Sequence, residues 1–216
     1  MKSRTFVIDN GWAQRVGDEG VRGMAYFIER LDRLNQRFLQ EAVAVLVISF
    51  HRDLAFLNRT DEQLIKAIAP TFRREQMYVA IENDKVIGLA VYSTLTSYSQ
   101  VISLRHAIRS FGIWKGYLCW ISMNRKPIRL TRNQCYIEDV ATHPEHRRKG
   151  VAHALMNVLM QDVNNMEYVL EVVDTNDAAI SVYTDLGFHK YHAVKENKHV
   201  QKTLGYSERQ YMKRAT

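Results

Sequence analysis

The sequence predicts an α/β fold, and three observations carry that reading. Two apolar runs, Met77 to Ile81 and Val86 to Ser93, flank Glu82-Asn83-Asp84-Lys85 and read as a β-hairpin with a short turn. Cys135 to Thr142 reads as a strand, ended by His143-Pro144. A helix follows from about Gly150, with Val151, Ala154, Leu155, Val158, Leu159, Val163 and Met166 on one apolar face. Tyr168 to Val173 is then a buried strand, and Asp177 to Leu186 a short helix with Gly187 placed as its C′ residue. Strand, helix, strand, helix is an α/β order.

The other elements are read in turn. Thr5 to Ile8 is a short strand, and Gly17, Gly20 and Gly23 mark a loop. Met24 to Phe50 reads as helical, with Val43, Val45, Val47 and Ile48 leaving a strand open. Residues 1–40 are therefore expected to be an N-terminal, helical extension packed on the domain formed by residues 41–216. Asp61 to Thr71 is a second helix with Thr60 as N-cap. Val101, Leu104, Ile108 and Phe111 keep helical spacing, and Trp114, Tyr117, Leu118 and Ile121 continue it after Gly112. One or two helices are expected there, read in three ways: Trp and Tyr rings facing the core with the arginines solvated, a lid or wall of a ligand site, or a surface for RNA or anionic lipid.

Composition limits the function classes. The chain has 216 residues, 46% hydrophobic and 25% charged, which is the range of a globular domain. The longest apolar run, Ala42 to Ile48, is far short of the ~20 residues of a membrane helix. No membrane insertion and no signal peptide are expected. Cys119 and Cys135 make no disulfide framework, so a cytoplasmic setting is expected. The net charge is +7, and no acidic residue occurs between Asp84 and Glu138. An anionic partner, acidic or phosphorylated, fits that balance. Nucleic acid is not expected, because no RNA-binding motif accompanies the charge. The pairs His143/His146 and His189/His192 have a metal-like spacing, but no Cys or acidic partner is evident from the spacing, and no metal is expected.

The chemistry concentrates in two stretches. In Val140 to Ala152 a strand ends, a basic turn (Arg147, Arg148, Lys149) follows, and a helix begins at Gly150. Free N–H groups and the helix dipole make such a turn an anion site. In Leu170 to Phe188 the carboxylate of Glu171 interrupts an apolar strand, and Tyr183 sits on the helix after it. A buried carboxylate is costly unless it is paired or solvated.

Together the stretches resemble the GNAT superfamily of acetyl-CoA-dependent N-acetyltransferases. Arg147-x-x-Gly150-x-Ala152 resembles that family's pyrophosphate signature, [Gln/Arg]-x-x-Gly-x-[Gly/Ala], and Asn176, Ala179, Tyr183 and Leu186-Gly187-Phe188 resemble its C-terminal motif. The run from Leu170 to Phe188 looks like the branch that acetylates ribosomal-protein N-termini. The resemblance implies a mixed twisted sheet flanked by helices, whose fourth and fifth core strands splay to admit acetyl-CoA. It makes the segment from about 94 to 132 a helical insertion between the third and fourth core strands, where relatives often have a short turn.

The resemblance also implies roles. Val140, Ala141 and Thr142 would run beside the pantetheine arm. Arg147, Arg148, Lys149, Gly150, Val151, Ala152 and His153 would wrap the pyrophosphate. Asn176 would bond the pantetheine, with Ala179 beside it, and Tyr183 would sit near the sulfur. Glu171 would be the general base and Tyr183 the general acid of direct acetyl transfer to a primary amine of a small molecule or peptide. Glu138 and Asp139 are the rival acids. Being adjacent on a strand, they should point to opposite faces, so that only one looks into the acceptor cleft. Two alternatives remain: a modifier of a macromolecule (a protein or charged tRNA), and a non-catalytic acyl-CoA-binding module, against which the presence of both Glu171 and Tyr183 argues. A homodimer through an exposed edge or the aromatic insertion is open.

Overall fold

The computed structural model describes residues 5–9, 12–16, 26–124, 128–163 and 167–216. The loop read at Gly17, Gly20 and Gly23, and Met166 of the amphipathic helix, lie outside them. The described strands are β1 (Thr5–Asp9), β2 (Trp12–Val16), β3 (Tyr26–Arg30), β4 (Met77–Glu82), β5 (Lys85–Thr94), β6 (Gln134–Thr142), β7 (Glu167–Val173), β8 (His189–Lys195) and β9 (Glu208–Ala215). They form one sheet in the order β2-β1-β3-β4-β5-β6-β7-β9-β8. Every neighbouring pair is antiparallel except β6 and β7.

The helices are α1 (Arg37–Ser49), α2 (His51–Leu54), α3 (Asp61–Ile68), α4 (Leu104–Phe111), α5 (Ile113–Asn124), α6 (Val151–Val163), α7 (Asp177–Asp185) and α8 (Lys198–Leu204). Alternation along the strands divides the core into two layers. On one face Tyr78, Ala90, Ile137, Leu170 and Val172 meet Val151, Leu155, Val158 and Leu159 of α6, with Tyr183 and Leu186 beside them. On the other, Val79, Leu89 and Val91 meet Val43 and Val47 of α1, Leu64 of α3, Ala107 of α4 and Cys119 of α5.

The local signals behave as their chemistry dictates. Asn83 and Asp84 both adopt positive φ, 49° and 64°, in the two-residue turn between β4 and β5. Thr60 and Gln63 form a reciprocal capping box at the start of α3, which ends at Ile68 and passes into a 3-10 turn through Thr71. Gly187 has φ 84°, and the N–H groups of Gly187 and Phe188 donate to the carbonyls of Thr184 and Tyr183. That pairing is a Schellman closure.

Two expectations are corrected here. The helix expected over Met24–Phe50 begins only at Arg37, because Tyr26–Arg30 is a strand paired with both β1 and β4. The β-forming triplet Tyr26-Phe27-Ile28 buries Tyr26 and Ile28 on the α6 face of the sheet, and that pairing outweighs the helical pattern. Among the described residues before 41, β1, β2 and β3 join the sheet, and Arg37 to Gln40 begin α1.

The insertion is two helices, α4 and α5, but its rings do not all turn inward. Trp114 is 82% exposed and Tyr117 48%, while Gly116 and Cys119 form the buried side of α5. A Cβ on Gly116 would lie 2.6 Å from the carbonyl oxygen of Ala107. The glycine therefore lets α5 pack backbone to backbone on α4, with Trp114, Tyr117 and Leu118 on the outer face and Trp120 and Met123 packed against the core.

Candidate active site

The sheet opens at its one parallel pair. β6 and β7 are in register from Gln134↔Glu167 to Ile137↔Leu170, and no further. Beyond that point Val140, Ala141 and Thr142 stay paired to β5 on one edge, while their other edge has no strand partner among the described residues. β7 continues along β9 as far as Val173. A wedge opens between the two strands, as the splay of the fourth and fifth core strands requires.

At the mouth of the wedge lies the turn before α6. Arg148 has φ 61° and Gly150 φ 75°. Among the described residues, no hydrogen bond takes up the N–H groups of Arg148, Lys149, Gly150, Val151 or Ala152. A Cβ on Gly150 would meet nothing within 4 Å, so the turn opens outward. A row of free N–H groups at the head of a 13-residue helix fits a diphosphate. The unpaired edge of Val140 to Thr142 fits an extended amide arm, and His153 follows on the first turn of α6. At the far side Asn176 caps α7, its side-chain oxygen accepting from the Ala179 N–H at 3.2 Å, which leaves its amide NH2 without an acceptor among the described residues.

Inside the wedge a cavity of about 270 Å³ is lined by Tyr136, Glu138, Asp139, Glu171 and Arg209 from the sheet, with Ser93. Tyr98, Gln100, Ser122, Met123 and Leu130 of the insertion close it. Glu138 and Asp139 both line it, which corrects the expectation that only one would. The reason is a β-bulge. Val91 pairs with Asp139 and Tyr92 with Ile137, so Glu138 has no partner on β5 and the alternation is broken there.

The three carboxylates differ in what holds them. Glu138 accepts from the hydroxyls of Ser93 and Ser99, the latter at 2.6 Å, so both its oxygens are engaged. Glu171 Oε1 lies 2.9 Å from Arg209 Nη1, and its Oε2 is buried without a hydrogen bond. Arg209 is further engaged by Glu196 and by the Tyr206 hydroxyl. Nothing among the described residues donates a hydrogen bond to Asp139. Burial, and then the charge of Glu138, push its carboxyl up to about 7. The Tyr136 phenol is raised by burial and by the charges of Glu171, Asp139 and Glu138, so it stands among all three. Tyr183 is buried beside Phe188, and burial followed by the charge of Asp139 pushes its phenol up to about 12. The charge of Asp139 thus reaches the Tyr183 phenol.

Tyr136 and Arg209 are lining residues that the sequence reading missed. Arg209 lies 38 positions from Glu171 and meets it only through the pairing of β7 with β9. The basic residues Arg105, Arg109, Arg129 and Arg132 of the insertion are exposed, and none lines the cavity. His143, Glu145 and His146 bring possible ligand atoms within 4.8 Å of one another, and Glu82 lies 3.4 Å from His146. Acidic neighbours that the spacing alone did not reveal are therefore present. No helix among the described residues is long and apolar enough to cross a membrane.

A sheet parted at its parallel pair, with an N–H cradle at the head of the helix joining those strands, defines an acyl-donor cleft of the N-acetyltransferase kind. The chain belongs to the Acetyltransferase (GNAT) family, whose sequence profile matches residues 47–188. It is an acetyl-CoA-dependent N-acetyltransferase. Over 122 residues it is 29% identical to an N-alpha-acetyltransferase of Saccharolobus solfataricus, covering 55% of this chain and 67% of that protein. Its fold is similar to that of the histone acetyltransferase HPA2 and related acetyltransferase from Corynebacterium glutamicum, with TM-score 0.56 and 19% identity over 88% of this chain and 96% of that one. It is also similar to a chain of the NatC complex bound to Gag peptide and CoA, with TM-score 0.53 and 18% identity over 89% and 99%.

Proposed function

We propose that the protein transfers the acetyl group of acetyl-CoA directly to the primary amine of a small molecule or peptide, with Asp139 as general base and Tyr183 as general acid. The observation that carries this reading is the pair itself. A carboxyl raised to about 7 lines the cleft where the strands part, and its charge reaches a buried phenol pushed up to about 12. An alkyl ammonium of pKa ~10 must lose a proton before its nitrogen can attack. Asp139 takes that proton, directly or through water. The nitrogen lone pair forms the C–N bond with the thioester carbon. The C–S bond breaks with its electrons on sulfur, and Tyr183 protonates the thiolate. The second nitrogen proton returns to the phenolate, and Asp139 passes its own to solvent.

Glu171, the base first expected, is already tied to Arg209, and Glu138 to two serines. In this reading they hold the cavity's shape and its negative potential. Three carboxylates and one engaged arginine favour a cationic amine over the acidic or phosphorylated acceptor suggested by the basic insertion. The backbone of Arg147 to His153 and the edge Val140 to Thr142 hold the diphosphate and the pantetheine, with Asn176 donating to the latter. The curated relative is an N-alpha-acetyltransferase, which supports a peptide N-terminus as one form of the acceptor.

Thiol release from acetyl-CoA, measured with polyamines, amino sugars, simple alkylamines and short peptides against an acceptor-free control, tests the proposal. Release with an amine class is expected, and Tyr183→Phe should lower it by ~100-fold or more. Release that Tyr183→Phe leaves unchanged refutes the acid assignment. Binding of acetyl-CoA with no release for any amine points to a binding module.

A further inference from the structure

A second cavity adjoins the one at Asp139. A pocket of about 220 Å³ lies beneath α1, α2 and α5, and Gln100, Ser122, Met123 and Asp139 line both spaces. The rest of its wall is apolar: Leu46, Leu57, Ile68, Phe72 and Cys119 are all buried. Its rim carries the exposed Phe56 and Asp53.

On the reading given under the proposed function, the reacting nitrogen sits at Asp139. Its substituent then has two ways to go, along the carboxylate-lined cleft or into the apolar pocket. We propose that the acceptor is a primary amine bearing an apolar arm, aliphatic or aromatic, that fills this pocket. A cavity of ~150 Å³ lined by apolar side chains takes up a benzene ring, so the space admits a phenyl group. Burying such an arm also excludes water from around Asp139, where a raised carboxyl makes the better base.

The pocket and the acyl-donor side meet only where the strands part at Asp139. The pocket's walls belong to the layer of α1, α3 and α5, whereas Tyr183 and the head of α6 lie on the opposite face. The pocket therefore receives the amine's arm rather than the acyl chain. α5 and Gln100 belong to the insertion, so the pocket is built in part by the segment from 94 to 132.

The test is the specificity constant for thiol release from acetyl-CoA with ethylamine, butylamine and 2-phenylethylamine, and with 1,4-diaminobutane as the polar comparison. The expected result is a rise of about 10-fold or more from ethylamine to 2-phenylethylamine. In Leu54→Trp, which narrows the pocket, the ratio between those two amines should collapse. The ratio is read within each protein, so a variant that folds incompletely scales both terms alike. Acetylation of ethylamine and diaminobutane with no gain from the phenyl arm overturns this inference and leaves acetyl transfer standing. Octanoyl-CoA used in preference to acetyl-CoA, with that preference lost in Leu54→Trp, assigns the pocket to the acyl chain and also overturns it. Thiol release with none of these amines or with peptides removes the transfer reading, and this inference with it.

Discussion

At the scale of single residues, the site turns on how differently three neighbouring carboxylates are held. Asp139 alone is left without a donor among the described residues, and its titration links activity to stability. Its carboxyl moves from 3.8 to about 7 on folding. The folded chain therefore binds a proton more tightly than the unfolded one, and stability falls as pH rises between those values. The loss is complete above about 7. Asp139→Asn removes it, so the variant should melt higher than the wild type at pH 8 and the gap should shrink toward pH 4. Melting curves across that range check this; a gap independent of pH contradicts it. Glu171 and Tyr183 were legible as chemistry-bearing residues because each breaks an apolar pattern. What holds Glu171 was not, because Arg209 arrives from a strand far along the chain. The relation of Glu138 to Asp139 was misread for a similar reason. Period-2 alternation holds only while a strand is paired residue for residue, and the bulge at Glu138 breaks it.

At the scale of elements, turns and caps were the most readable features, because Asn83-Asp84, Thr60 with Gln63, and Gly187 act through their own backbones. The start of α1 was obscured by continuous apolar patterning from Met24 onward. A signal was present in Asn35, whose side chain accepts the Arg37 N–H at 3.0 Å and marks the helix start. Two element-level outcomes follow from glycines. Gly116→Ala should cost about 1–3 kcal/mol, because its Cβ would press on the backbone of α4. Urea denaturation measures it, and an unchanged midpoint would mean that α5 is free to shift. Gly150→Val should weaken acetyl-CoA binding by about tenfold or more, through the positive φ of the turn rather than through a clash. Calorimetric titration decides, and equal affinity removes the turn from the binding site.

At the scale of the whole molecule, the second half of the chain was readable because local order and spatial order coincide there: strand, cradle, helix, strand, helix. Apart from the short strand read at Thr5 to Ile8, which is β1, the first 30 residues and the last strand were not. β3 pairs with β4 across more than 40 intervening residues, and β9 inserts between β7 and β8. Such pairings leave no local periodic mark. Charge is also distributed unevenly: the chain is +7 overall, yet the charged residues lining its cleft are three carboxylates and one arginine. The basic side chains at the α6 turn are exposed, so acetyl-CoA affinity should fall several-fold between about 0.05 and 0.5 M salt, as screening at the Debye length requires. Affinity indifferent to salt would place the whole attraction in the backbone N–H groups.

The central claim is that Asp139 is the base in acetyl transfer to an amine. The most direct test is the pH profile of kcat/KM for thiol release with the best amine, for wild type and Asp139→Asn. The account predicts a rise through about pH 7 in the wild type, and a loss of ~100-fold or more together with that inflection in the variant. A variant that keeps both the rate and the inflection would contradict it.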